Sequence, residues 1–340
     1  MRPWLIASVL AVSCSTSSVA PATPSAAGPS PEPSATASAA RPVPTSSGPS
    51  PSPIPLPSTA QISAPSANAV WTLVAGSRLF RSSDRGEHWE ERPFALGVIG
   101  PAYQIAFLNE REGWLLMPGS PATQCTFQSV SLWKTTDAGG SWERLAPQGV
   151  GDGQCKEALS LVDAQRGFFS ASDPNQPPLV YRSVDGGRSW SASRPLPDPP
   201  GFTSRGGGFT LRAGAVRAFG PALLVEAIGN AGGALARYVF TSSDGGASWR
   251  YLAAAPGPDA AFAFVTATRW LVVGAPGGSQ ETTDSGASWH SYASDYRQAA
   301  PVAPAITFAD ERVGYATVRG AIQRTDDGGV HWRDLRTPGT

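Results

Sequence analysis

Residues 183–190 read Ser183-Val184-Asp185-Gly186-Gly187-Arg188-Ser189-Trp190, and the pattern they carry, Ser/Thr-x-Asp-x-Gly-x-x-Trp, decides the fold. It occurs six times in the 340 residues. The other copies are Ser82, Asp84, Gly86, Trp89; Thr135, Asp137, Gly139, Trp142; Ser242, Asp244, Gly246, Trp249; Thr282, Asp284, Gly286, Trp289; and Thr325, Asp327, Gly329, Trp332. Successive aspartates lie 53, 48, 59, 40 and 43 residues apart. The chemistry is that of a tight β-hairpin. The carboxylate accepts from N–H groups of its own turn, and the hydroxyl ties the incoming strand to it. The glycine supplies a positive φ, and the tryptophan opens the outgoing strand with a large ring to bury. Six copies of one aspartate argue for structure rather than catalysis.

Outward from each box, apolar runs precede it at strand length. The nearer runs are 70–75, 113–117, 167–170, 222–227, 269–273 and 313–318. Before these come 103–108, 158–162, 261–265 and 305–308, with 60–64 and 214–219 as the less regular first strands of repeats one and four. Each repeat is therefore four antiparallel strands, a to d, with the box in the c–d turn. Units of about 40–50 residues with four strands are propeller blades. The predicted fold is all-β, a six-bladed β-propeller over residues 58–340, with seven blades as the alternative count.

These boxes resemble the Asp-box (BNR) repeat family, which includes sialidases, some glycoside hydrolases, sortilin-type receptors and a photosystem II assembly factor. The resemblance implies a β-propeller, and the Thr-x-Asp-Gly-Gly form is closest to the assembly-factor branch. It does not imply one activity, since function on such folds lies in grafted sites.

The N-terminus reads as a targeting segment. Arg2 precedes an apolar run of about ten residues, too short to span a bilayer. Ala11-Val12-Ser13-Cys14 looks like a bacterial lipobox, with residues 1–13 as signal peptide and Cys14 as the lipidated residue. Cleavage after Ala20, giving a secreted soluble chain, is the alternative. Residues 14–57 are Pro, Ser, Ala, Thr and Gly with few charges, a disordered tether able to reach roughly 130 Å. The expected location is extracytoplasmic, anchored to the cell membrane through lipid.

Strand direction sorts the connections onto two faces. The a–b and c–d turns share a face with the boxes; the b–c and d–a connections share the other. The second face carries the long segments 117–130, 171–178, 195–212, 228–237 and 291–303. Irregular loops on a rigid scaffold are the usual place for binding. The candidate binding residues there are Asp198, Arg205, Arg212, Tyr296 and Arg297. Cys125 and Cys155 fall on neighbouring connections of this face, and an exported chain makes a disulfide between them the expectation.

Charged residues make up 15% with a net charge of zero, which excludes a bulk field for nucleic acid. The histidines His88, His290 and His331 sit beside box tryptophans in separate blades, so no metal or Ser-His-Asp site is expected. No dinucleotide or phosphate-loop fingerprint occurs, and no cofactor is expected. The Arg-Ile-Pro that the resemblance would bring for a sialidase is missing, while Glu226 and Glu281 lie in strands of undetermined facing. Trp71, Trp114, Phe168, Trp270 and Tyr315 are expected at one strand position, as packing between blades. Arg81, Lys134, Arg182 and Arg324 precede boxes in strand c, either as a solvated outer face or as a basic stripe for an acidic partner. The functional expectation is a monomeric, non-enzymatic binding or assembly scaffold for a protein or glycan partner, with a sialidase-like glycoside hydrolase as the alternative.

Overall fold

Every Asp box closes the turn between the third and fourth strands of its own antiparallel sheet. The box glycines Gly86, Gly139, Gly187, Gly246, Gly286 and Gly329 all take positive φ, from 75° to 101°, which reverses the chain. The computed structural model describes residues 60–94, 96, 103–202, 211–231, 234–274, 278–296, 305–318, 321–336 and 338. The signal segment, the tether, Cys14, Arg205 and Arg297 lie outside the described residues.

The sheets follow the chain in order. Blade 1 is Gln61–Ser63, Val70–Val74, Arg78–Ser82 and Glu90–Arg92. Blade 2 is Gln104–Phe107, Gly113–Pro118, Val130–Thr135 and Glu143–Leu145. Blade 3 is Cys155–Leu161, Gly167–Ser172, Leu179–Ser183 and Ser191–Ala192. Blade 4 breaks its first strand into Arg212–Ala213 and Arg217–Phe219, then runs Ala222–Ala231, Ala234–Ser242 and Arg250–Ala255. Blade 5 is Ala261–Phe264, Trp270–Val273, Gln280–Thr282 and His290–Ser291. Blade 6 is Ile306–Phe308, Gly314–Val318, Ala321–Thr325 and Arg333–Leu335.

The core is divided among the seams. Six apolar clusters each join one blade to the next. One of them sets Val313, Tyr315 and Ile322 of blade 6 against Val70 and Phe80 of blade 1, so the ring closes as a six-bladed β-propeller. Each blade is built from contiguous chain, so packing and polar contacts close the ring instead of a shared strand. Tyr315 donates to Ala67 O at 3.1 Å, and Arg324 donates to Arg85 O at 2.7 Å.

The aromatic layer departs from expectation in blade 5. Trp71, Trp114, Phe168 and Tyr315 each pair with the residue before the box Ser or Thr, and each packs toward the following blade. Trp270 instead pairs with the box Thr282 itself and packs toward blade 4; Leu271 takes the shared position. Side chains alternate along a strand, so one residue of offset moves the ring to the opposite seam.

Candidate functional site

The six boxes share one network. In each, the Ser or Thr hydroxyl donates to the Asp carboxylate at 2.7–2.9 Å and accepts from the glycine N–H at 2.8–2.9 Å. The carboxylate accepts the N–H of the residue before the tryptophan at 2.8–3.0 Å. That residue's side chain occupies the second carboxylate oxygen: Ser141, Ser189, Ser248 and Ser288 in four boxes, His88 and His331 in two. The recurrence of Ser or His at this position was the available signal. The Ser141 hydroxyl and N–H hold Asp137 at about 2, and Ser288 does the same for Asp284. Burial pushes Asp84 upward, but the His88 N–H and ring outweigh it and leave this carboxyl at about 2. Carboxylates so occupied serve the turn.

Three of the four basic residues before the boxes, Arg81, Arg182 and Arg324, are neither a bare solvated face nor a free basic stripe. Arg81 reaches the blade 2 turn at Glu110 O, 3.3 Å. Arg182 reaches Asp244 O and Gly245 O of the blade 4 box, each at 3.4 Å. Arg324 pairs with Glu87 of blade 1 at 3.1 Å and is 6% exposed. A guanidinium carries several donors in a fixed fork, which suits it to the orphan carbonyls of a neighbouring turn. Lys134 makes no such contact among the described residues.

The opposite face is organised around blades 2 to 4. Cys125 and Cys155 are joined by a disulfide, with Cα atoms 5.1 Å apart. Around it, Gln128 N donates to Asp152 O at 2.6 Å and Gln154 N to Cys125 O at 2.8 Å. Gln154 Nε2 reaches Pro177 O at 3.2 Å, which ties in the b–c connection of blade 3. Lys156, 2% exposed, donates to Gln128 O at 2.9 Å and Gly153 O at 2.7 Å. Burial lowers its ammonium to about 8, against the attraction of Asp152. Three connections are thus bound into one platform, and Phe127 stands on it 51% exposed.

Segment 228–237 is part of a long hairpin rather than a loop. Ile228 pairs with Arg237, and Ala231 with Ala234. The hairpin carries Leu235 outward, 44% exposed. Tyr296 is also relocated: it is 6% exposed and packs edge-on against Trp332, ring centroids 5.4 Å apart, so it belongs to the seam between blades 5 and 6. Its large ring found an apolar seam to fill. Arg212 forms a bidentate pair with Glu157 between blades 3 and 4, and Asp198 is exposed. The three described candidates, Asp198, Arg212 and Tyr296, therefore do not gather into one cluster.

The first strands of all six blades line a central cavity of 410 Å³. The one carboxylate among its described lining residues is Glu226, 3.0 Å from Arg237. Arg237 is 4% exposed and also donates to Gly257 O, Pro258 O and Ala260 O of the next connection. Glu281 pairs with Arg269 at 2.5 Å, away from the cavity. Glycoside hydrolysis uses two carboxyl groups flanking the bond; Glu226 has no such counterpart among the described residues of the cavity. No cluster of metal-binding side chains occurs among the described residues.

No protein-family model and no curated protein sequence matches the chain. Among solved structures, YCF48 from Cyanidioschyzon merolae is 19% identical, with a TM-score of 0.46 over 82% of this chain and 84% of that one. YCF48 bound to D1 peptide is 17% identical, with a TM-score of 0.47 over 83% and 84%. A Hadza microbial sialidase is 16% identical, with a TM-score of 0.51 over 78% of this chain and 66% of that one. At such identity the likeness is one of fold alone, a β-propeller, and it assigns no activity.

Proposed function

We propose that the chain is a non-catalytic binding propeller, held outside the cytoplasm by lipid on Cys14, that takes a protein partner on the face opposite its Asp boxes. The observation that carries this is the disulfide-bound platform of blades 2 and 3, which holds Phe127 in solvent. Leu235 on the blade 4 hairpin stands out on the same face. Exposed aromatic and apolar side chains among few charges are what the centre of a protein interface is made of. Among the described residues the cavity's one carboxylate, Glu226, is tied to Arg237, which weighs against glycosidase chemistry there.

The test uses the full chain expressed in its own membranes and recovered with bound proteins. Phe127→Glu should weaken recovery of the partner about thirtyfold, the size of an aromatic hot spot of roughly 2 kcal/mol. Val184→Glu, on an exposed box turn of the other face, should leave recovery unchanged. The opposite pattern contradicts the proposed face. In the same fractions Cys14→Ser should leave the membrane pellet, and its retention there would remove the anchor.

A further inference from the structure

The strand registers align one residue per blade at a single level of the central cavity. These residues are Ser63, Ala106, Ser160, Arg217, Ala263 and Thr307. Five are small and one is an arginine. The wall breaks at the arginine: blade 4's first strand is interrupted between Ala213 and Arg217. Such irregularities re-aim a side chain. Arg217 Nη2 donates at 2.6 Å to Phe308 O of blade 6, so the side chain passes blade 5 and spans a chord of the channel.

Among the described residues no carboxylate lies in ion-pair range of Arg217. The cavity's own carboxylate, Glu226, is matched by Arg237. Arg217 is half-buried, and a partly desolvated cation without a counter-charge is costly. Burial lowers the Arg217 guanidinium below its ordinary range, with no neighbouring charge to oppose it. A cation with spare donors reaching across the channel is an anion-recognising group. The lining beside it, which includes Ile62, Leu161, Val216 and Ile306, presents more polar than apolar surface. A volume of 410 Å³ falls within the roughly 300–1,000 Å³ of small-molecule sites.

We infer that the central channel binds a small organic acid, its carboxylate on Arg217 and its body along the channel. Phe308 is the last residue of its strand, at the box-face end. The ligand therefore enters from the loop face and meets Arg217 at the far end. This site is separate from the Phe127 platform and stands whether or not that face binds a protein.

The test is calorimetric titration of the full chain with octanoate, octanol, octylammonium and inorganic phosphate. Octanoate should bind at least tenfold more tightly than octanol, and octylammonium and phosphate should be weaker still. Arg217→Gln should erase the preference for octanoate over octanol, and Arg217→Lys should keep part of it. Thr307→Trp, which fills the same level, should block octanoate while leaving Phe127-dependent partner recovery intact. Equal binding of octanoate and octanol by the unaltered chain overturns the inference. So does phosphate as tight as octanoate, or an Arg217→Gln chain that stays folded and keeps the preference. If Arg217→Gln does not fold, the octanoate–octanol comparison in the unaltered chain decides alone.

Discussion

A single box shows how four side chains specify a turn. Asp185 accepts from Ser183 Oγ at 2.9 Å, from Arg188 N at 3.0 Å and from Ser189 N at 2.9 Å. Trp190 then buries its ring against Phe169, centroids 4.6 Å apart, while its Nε1 donates to Gly187 O at 3.0 Å. Asp185→Ala should cost about 1–3 kcal/mol, because donors lose their acceptor. The same chemistry sets an acid limit. Box carboxyls are held below their ordinary 3.8, with Asp84, Asp137 and Asp284 at about 2. A depressed folded pKa gives stability that is present above about pH 4 and lost as pH falls toward 2. Urea unfolding of the unaltered chain and Asp185→Ala, from pH 7 down to pH 2, checks both. Equal stability of the two at pH 7, or no loss in the unaltered chain on acidification, contradicts the role given to the boxes.

At the scale of elements, the strand quartets were legible because box chemistry and apolar strand-length runs agree clearly in four of the six repeats, repeats one and four having the less regular first strands. The blade 4 first strand was not, since Gly214, Ala215 and Val216 give no alternation and the structure breaks the strand there. The blade 4 hairpin was also obscured. Gly229, Asn230 and Ala231 read as loop, yet hairpin pairing with 234–236 carries them as strand. Phe127 and Arg217 could not be singled out, because exposure in one case and register in the other are properties of the assembled ring. Lys156 left only the trace of being one of two lysines in the chain. The platform itself makes a prediction. Cys125→Ser opens a loop whose cysteines are 30 residues apart and should lower stability by about 3 kcal/mol in the chain-entropy view. Amide exchange of residues 119–130 should quicken with it. An unchanged midpoint and unchanged exchange would mean that Lys156 and the backbone bonds hold the platform alone.

Over the whole ring, the two faces differ in construction. One face repeats the box six times, and arginines from neighbouring blades spend their donors on its turns. The other face varies from blade to blade, and on it the disulfide, the buried lysine and the exposed Phe127 lie together. The seam between blades 6 and 1 closes through Tyr315, Arg324 and Glu87, so neither face needs a shared strand to keep its geometry. The central claim is that the variable face meets the partner. The most direct measurement places a photo-cross-linking residue, one at a time, at Phe127, Leu235 and Val184 of the full chain in its own membranes. Discrete adducts from positions 127 and 235, and none from 184, are the predicted result. Adducts from 184 alone would put the partner on the Asp-box face and contradict the account.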